Sequence, residues 1–260
     1  MKNIVKGQEP TQLKTYRDNQ PTGTWDKRGK PQFKNKNNRY QAVIKQLKKD
    51  QGNLCAYCEI DLLEDPDPAC EDRRVEHFHP KSDRTTEHNW ALDWNNLFAT
   101  CHGGKVSKVA DSDRYTYPDV SCDIPKENKN LDDVILNPLQ LPAFPLLFGF
   151  GTDDGSILVD VEACQSCGID SSKAQNTIDE LHLDAPRLQK FRNQLLDDLK
   201  EKLLLLITDN SLSDSEAKTL LAQDLLVKDN RGYWPAYFST IRFYLLPESD
   251  HVLRKENYLG

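Results

Sequence analysis

The stretch Asp72-Arg73-Arg74-Val75-Glu76-His77-Phe78-His79-Pro80-Lys81-Ser82 (residues 72–82) decides how this chain reads. From Asp72 to His79 the side chains alternate in a way that suits a short strand, and Pro80 ends it because proline has no N–H for a ladder. Within the strand an acid, Glu76, directly precedes an imidazole, His77. A neutral imidazole beside a carboxylate is a natural base for taking a proton from water. His79 lies two residues on, so it shares a strand face with His77. The plainer expectation for His79 is a surface histidine, and His88 and His182 have no motif around them.

Working outward, Cys55-Ala56-Tyr57-Cys58 precedes this stretch, and Trp94-Asn95-Asn96-Leu97, Cys101 and Cys122-Asp123-Ile124-Pro125-Lys126 follow it. Two sites are interleaved. Zinc takes four thiolate or imidazole ligands in a tetrahedron, and a closed four-ligand site is structural. Cys55 and Cys58 can sit on one turn, with Cys101 and Cys122 supplying the other two ligands; the competing partners are Cys164 and Cys167. Cys70 reads as a small buried hydrophobe. The second site is hydrolytic. Glu76 and Asp123 are the carboxylates best placed to hold a hard cation, Mg2+ or Mn2+, beside His77. Lys81 and Lys126 could contact phosphate, although a solvated lysine is the commoner fate.

The chain has 260 residues, enough for one large domain or two small ones. Its mean hydropathy is −0.71 and 29% of residues are charged, and no apolar run approaches the roughly 20 residues that span a bilayer. The N-terminus lacks the apolar segment of a secretory signal, so the expected location is cytoplasmic. In such a chain, Cys-x-x-Cys spacing suggests metal or redox chemistry rather than a disulfide framework, and no βαβ context supports the redox reading. The formal net charge is −7, yet residues 1–50 carry 13 Lys and Arg against 4 Asp and Glu. A basic arm on an acidic body is a plausible phosphate-binding device; a solubilising tail is the plainer alternative.

Residues 1–36 read as an extended arm with Trp25 as an anchor, and 37–51 as a helix stopped by Gly52. Residues 102–121 resemble an insertion loop, and a short helix starts at Asp123. Ile157 to Val161 looks like a strand. From Ser171 onward the chain reads as helical, with caps at Ser171, Asp184 and Ser213 and a last helix from Trp234-Pro235 to about Leu246. Three segments result: a basic arm and helix (1–51), a small Cys/His-rich ββα unit (52–140) and a mainly helical region (141–260).

The order Cys-x-x-Cys, Glu-His-x-x-Pro-Lys, Asn-Leu, Cys and Cys-Asp-x-x-Lys resembles the ββα-metal nucleases of the HNH family. It is most similar to the branch formed by the HNH subunit (PtuB) of Septu anti-phage systems, also found as a retron-associated effector. The segments Thr177 to Asp184 and Leu188 to Arg192, and Ile4, Lys6, Pro10 and Leu13, resemble that branch as well. The resemblance implies an α+β fold: a small zinc-stapled ββα-metal unit embedded in a mainly helical chain. It implies that His77 is the general base, that Glu76 binds the catalytic metal, and that Asn96 braces the loop carrying the base. Asp123 stands where the family often has Asn or His. Cys101 lacks the second cysteine two residues on that many relatives have, which leaves the fourth zinc ligand open between Cys122 and His102. The implied partners are DNA or RNA as substrate, an SMC-like ATPase (PtuA-type), and a retron reverse transcriptase with its nucleic acid. The alternative from another class is a catalytically inactive zinc-stabilised module that binds nucleic acid or a partner.

Overall fold

The alternating stretch forms strand β1 (Arg74–His77), which pairs antiparallel with β2 (Leu97–Thr100) in the register His77↔Leu97 and Arg74↔Thr100. A 3-10 turn, Trp94–Asn96, leads into β2, capped by the Asp93 side chain accepting from Asn95 N. These coordinates are a computed structural model describing residues 1–26, 31–34 and 37–260. The arm charges of Lys27, Arg28, Lys30 and Lys36 therefore lie outside the described residues.

The described part of the arm is not extended. It contains helix α1 (Thr11–Asn19), and Ile4, Leu13, Tyr16, Trp25 and Phe33 are all buried. Trp25 stacks on Phe33 at 5.0 Å, and Phe33 meets the edge of Tyr16. Scattered single apolar residues, each seated in the core, produce this packing without a local period for the sequence to display. Helix α2 (Asn37–Gln51) follows the expected bounds, with Val43, Ile44 and Leu47 fully buried. It stops at Gly52, whose φ of +64° suits glycine. A Cβ there would lie 2.3 Å from the Trp234 ring, so this turn also lets the C-terminal part approach.

Residues 102–121 carry only a short 3-10 turn, Ser112–Arg114. Buried Arg114 holds the segment in place, bridging Asp61 at 2.6 Å and Asp72 at 3.2 Å. Helix α3 (Asp123–Lys126) is a single turn that ends where Glu127 adopts φ 52°. Beyond it come a hairpin of β3 (Phe148–Phe150) and β4 (Ile157–Val159), then α4 (Val161–Ser166), α5 (Ser171–Glu180), α6 (Pro186–Asn210), α7 (Asp214–Leu225), α8 (Phe238–Tyr244) and α9 (Glu248–Lys255).

Among the described residues the fold is α+β, with two small sheets among helices. Several local expectations shift. Val161 leaves the strand because Asp160 caps α4 through Ala163 N. Asp170, not Ser171, caps α5. Asp184 accepts from Ile157 N instead of capping α6, which begins with Pro186 in its first turn. Ser213 forms the expected capping box with Glu216. The helix expected from Trp234-Pro235 to about Leu246 is the shorter α8, and a further helix, α9, follows Pro247. One buried apolar cluster runs from Met1 through the hairpin to Leu188, and a second joins α6 to α9. No helix among the described residues is long and apolar enough to cross a membrane.

Candidate active site

β1 ends at Glu76 and His77, and the chain then turns at Phe78 to Pro80. Asn96 fixes that turn. Its Oδ1 accepts from His79 N at 2.7 Å, and its Nδ2 donates to His79 O at 2.9 Å and Trp90 O at 2.8 Å. His77, 6% exposed, meets Trp25 edge to face at 5.1 Å. His77 Nε2 is 3.2 Å from the carbonyl of Ala91. A carbonyl only accepts, so Nε2 carries the hydrogen and Nδ1 keeps its lone pair. Burial pushes the His77 pKa down to about 3, with Lys81 adding to the shift while the Ala91 carbonyl and Asp26 oppose it. The ring is therefore neutral throughout the physiological range.

Glu76 and Asp123 complete the centre. Lys126 Nζ donates to Glu76 Oε1 at 2.8 Å and to His77 O at 3.0 Å. Arg74 Nε pairs with Asp123 Oδ2 at 3.1 Å, and Thr100 Oγ1 donates to Asp123 Oδ1 at 3.4 Å. Burial first, then the charge of Asp123, raises Glu76 to about 7 against the pull of Lys126 and Arg74. Burial likewise raises Asp123. Arg74, Glu76, His77, Lys81, Lys105 and Asp123 line one cavity of about 220 Å³. A larger cavity of about 650 Å³ at α1 and α2 has no carboxylate or imidazole among its lining residues. The donors of the smaller cavity suit a hard cation: both acids offer oxygen, both are buried, and each spends one oxygen on a protein cation. Lys126, 1% exposed, is neither solvated nor free to meet phosphate, because α3 directs it inward onto Glu76. Lys81 pairs with Asp26 at 2.8 Å.

Behind this cavity, Cys55, Cys58, Cys101 and Cys122 converge, with all four sulfurs within 4.8 Å of one another. Cys55–Cys122 and Cys58–Cys101 are 3.8 Å apart, and Cys101–Cys122 are 3.7 Å apart. Four sulfurs about 2.3 Å from a central zinc would be about 3.8 Å apart along each tetrahedral edge, so the cluster could hold that ion. Cys122 fills the fourth position. The alternative, His102, turns its Nε2 to the Arg73 carbonyl at 3.1 Å. Cys164 and Cys167 sit on and just after α4 and take no part, and Cys70 is half-buried rather than buried.

The expectation of a surface position for His79 is overturned. It is 5% exposed and stacks on Trp90 at 4.0 Å, with Nδ1 2.7 Å from Asp132 and Nε2 2.8 Å from Asp83. Nothing local marks Asp132 as its partner. Arg74 and Lys126 were findable: Arg74 is two residues from Glu76 on one strand face, and Lys126 is one helical turn from Asp123.

The class defined here is a protein with a neutral imidazole and paired carboxylates at the end of a β-ribbon, backed by a four-cysteine cluster. The chain is 32% identical over 262 aligned residues to an Escherichia coli protein named "Retron Ec83 putative HNH endonuclease", covering 93% of this chain and 92% of that protein. The chain belongs to the HNH endonuclease family. No protein-family model matches it.

Proposed function

We propose that this chain is a metal-dependent HNH endonuclease that hydrolyses phosphodiester bonds in nucleic acid, as the effector of an anti-phage defence complex. The observation carrying this reading is the cavity that His77, Glu76 and Asp123 line together. The segment from β1 through β2 to α3 is read as a ββα-metal unit. In that reading Glu76 and Asp123 hold Mg2+ or Mn2+. Bound there, the cation would supply positive charge against the scissile phosphate. His77 Nδ1 takes the proton of the attacking water, and Asn96 keeps the His77 turn in place. A base near pKa 3 has little driving force in the free protein. An anionic phosphate arriving beside the imidazole favours its charged form and restores part of that driving force. Cys55, Cys58, Cys101 and Cys122 would hold a structural zinc, which would tie the cysteine-bearing turns and α3 together.

His77→Ala tests the assignment. The variant should lose cleavage of DNA and RNA substrates while keeping its fold and zinc content, and cleavage at the wild-type rate would end the reading. One observation favours the rival, a zinc-stabilised binding module: Lys126 and Arg74 already neutralise the acid pair. Restoring Mn2+ after EDTA separates the two, since only a nuclease regains cleavage. Partners follow from the family resemblance. A cytoplasmic SMC-like ATPase, together with a retron reverse transcriptase and its nucleic acid, would dock on the helical region or the arm. Co-purification with such an ATPase supports docking, and a chain that always elutes alone counts against it.

A further inference from the structure

The geometry points to Arg187 as the counter-ion of the four-cysteine cluster, a positioning residue that holds the thiolates and ties α6 to them. This rests on the reading of the cluster as a zinc site. Arg187 lies in the first turn of α6, just after Pro186, and is 4% exposed. Its Nη2 donates to Ser121 Oγ, and that hydroxyl is 3.6 Å from Cys122 Sγ. Its Nε and Nη1 are buried without a hydrogen-bond partner among the described residues. No carboxylate among those residues forms an ion pair with it, although Arg114, Arg192 and Arg242 each have one.

A buried guanidinium needs an anion. The negative groups that act on Arg187 most strongly are Cys101, Cys58 and Cys122; they outweigh the burial that disfavours its charge. Four thiolates around a divalent ion leave a net charge of −2, and Arg187 cancels half of it. A Cβ on Gly104, at φ +89°, would lie 3.5 Å from Arg187 Nε and 2.5 Å from Thr116 Oγ1. The N-terminal end of α6 adds positive dipole on the same side. The long helix of the C-terminal region is therefore tied electrostatically to the cluster behind the nuclease cavity.

The test compares wild type, Arg187→Met and Arg187→Lys as full-length chains. Zinc release to a chromophoric chelator is timed, and the thiolate-to-metal band is recorded after cobalt substitution. Outer-sphere partners typically change metal affinity 10–100-fold. Arg187→Met should release zinc about tenfold faster or more and shift the cobalt band. Arg187→Lys, which keeps the charge, should recover most of the difference. Wild-type release and an unshifted band in Arg187→Met would overturn the proposal. If Arg187→Met fails to fold, Ser121→Ala decides: freeing the guanidinium should speed release, and an unchanged rate overturns the proposal. A wild type that carries no zinc would sink the zinc reading and this proposal together, whereas a zinc-bearing wild type with an indifferent Arg187→Met sinks this proposal alone.

Discussion

Asn96→Ala separates bracing from mere packing. The buried carboxamide makes three hydrogen bonds, to His79 N, His79 O and Trp90 O, at 2.7, 2.9 and 2.8 Å. Each is worth about 1 kcal/mol net, so truncation should cost about 3 kcal/mol, rising toward roughly 5 kcal/mol if no water satisfies the stranded backbone groups. For a chain of this size that lowers Tm by roughly 6–12 °C. The turn it holds begins one residue after His77, and a misplacement near 1 Å can cost on the order of 100-fold in rate. The assay pairs thermal unfolding of the zinc-loaded protein with single-turnover cleavage at a temperature where both forms are folded. Lower Tm with an unchanged rate would refute the bracing of His77 while leaving a structural role. Unchanged Tm and rate would refute both.

The pH dependence has a definite sign. A cation-binding carboxylate must be ionised, and Glu76 sits near 7, so at sub-saturating Mg2+ cleavage should fall about tenfold per pH unit below 7. Higher Mg2+ should move that limb to lower pH. His77, depressed to about 3, is neutral on both sides of the limb and cannot cause it; a rate that stays flat from pH 6 to 8 contradicts the assignment of Glu76. Serine at Cys55, Cys58, Cys101 or Cys122 should abolish zinc stoichiometry and destabilise the protein by several kcal/mol. Serine at Cys164 or Cys167 should leave zinc content at the wild-type level by elemental analysis.

The parts of the fold legible in the sequence were those with a local signature. The α2 period, the Ser213-x-x-Glu216 box and the strand around Glu76 were readable because neighbours a few residues apart report the same environment. The arm was not, because Leu13, Tyr16, Trp25 and Phe33 are spaced without a period and become one cluster only when folded. The cap at Asp184 failed for the same reason in reverse. A good local capping residue is taken instead by Ile157 N and Arg192, partners 27 and 8 residues away. In the site, residue types and chain order brought out the four cysteines, Glu76, His77 and Asp123. Lys126 was brought out only as a possible phosphate contact, since a lysine motif reads alike whether its ammonium meets water or Glu76, and Arg74 was not singled out.

Those cations change what the acid pair means. Two buried carboxylates with nothing else nearby would protonate rather than stay ionised for a metal. Arg74 and Lys126 oppose this, each taking one oxygen, without cancelling it: burial still holds Glu76 near 7 and Asp123 above its ordinary range. Each acid thus faces a protein cation before any ligand enters, and Lys81, Lys105 and Glu127 also line the cavity, with Lys81 paired to Asp26. A divalent ion, were one held by Glu76 and Asp123, would bring a surplus of positive charge that could meet the phosphodiester and the charge developing on its leaving oxygen. A site with the same acids and no Lys126 or Arg74 would spend that surplus on the carboxylates themselves. The internal ion pairs, which on their face favour a binding module, would therefore also serve the proposed metal-assisted hydrolase by leaving more of its cation's charge for the phosphate.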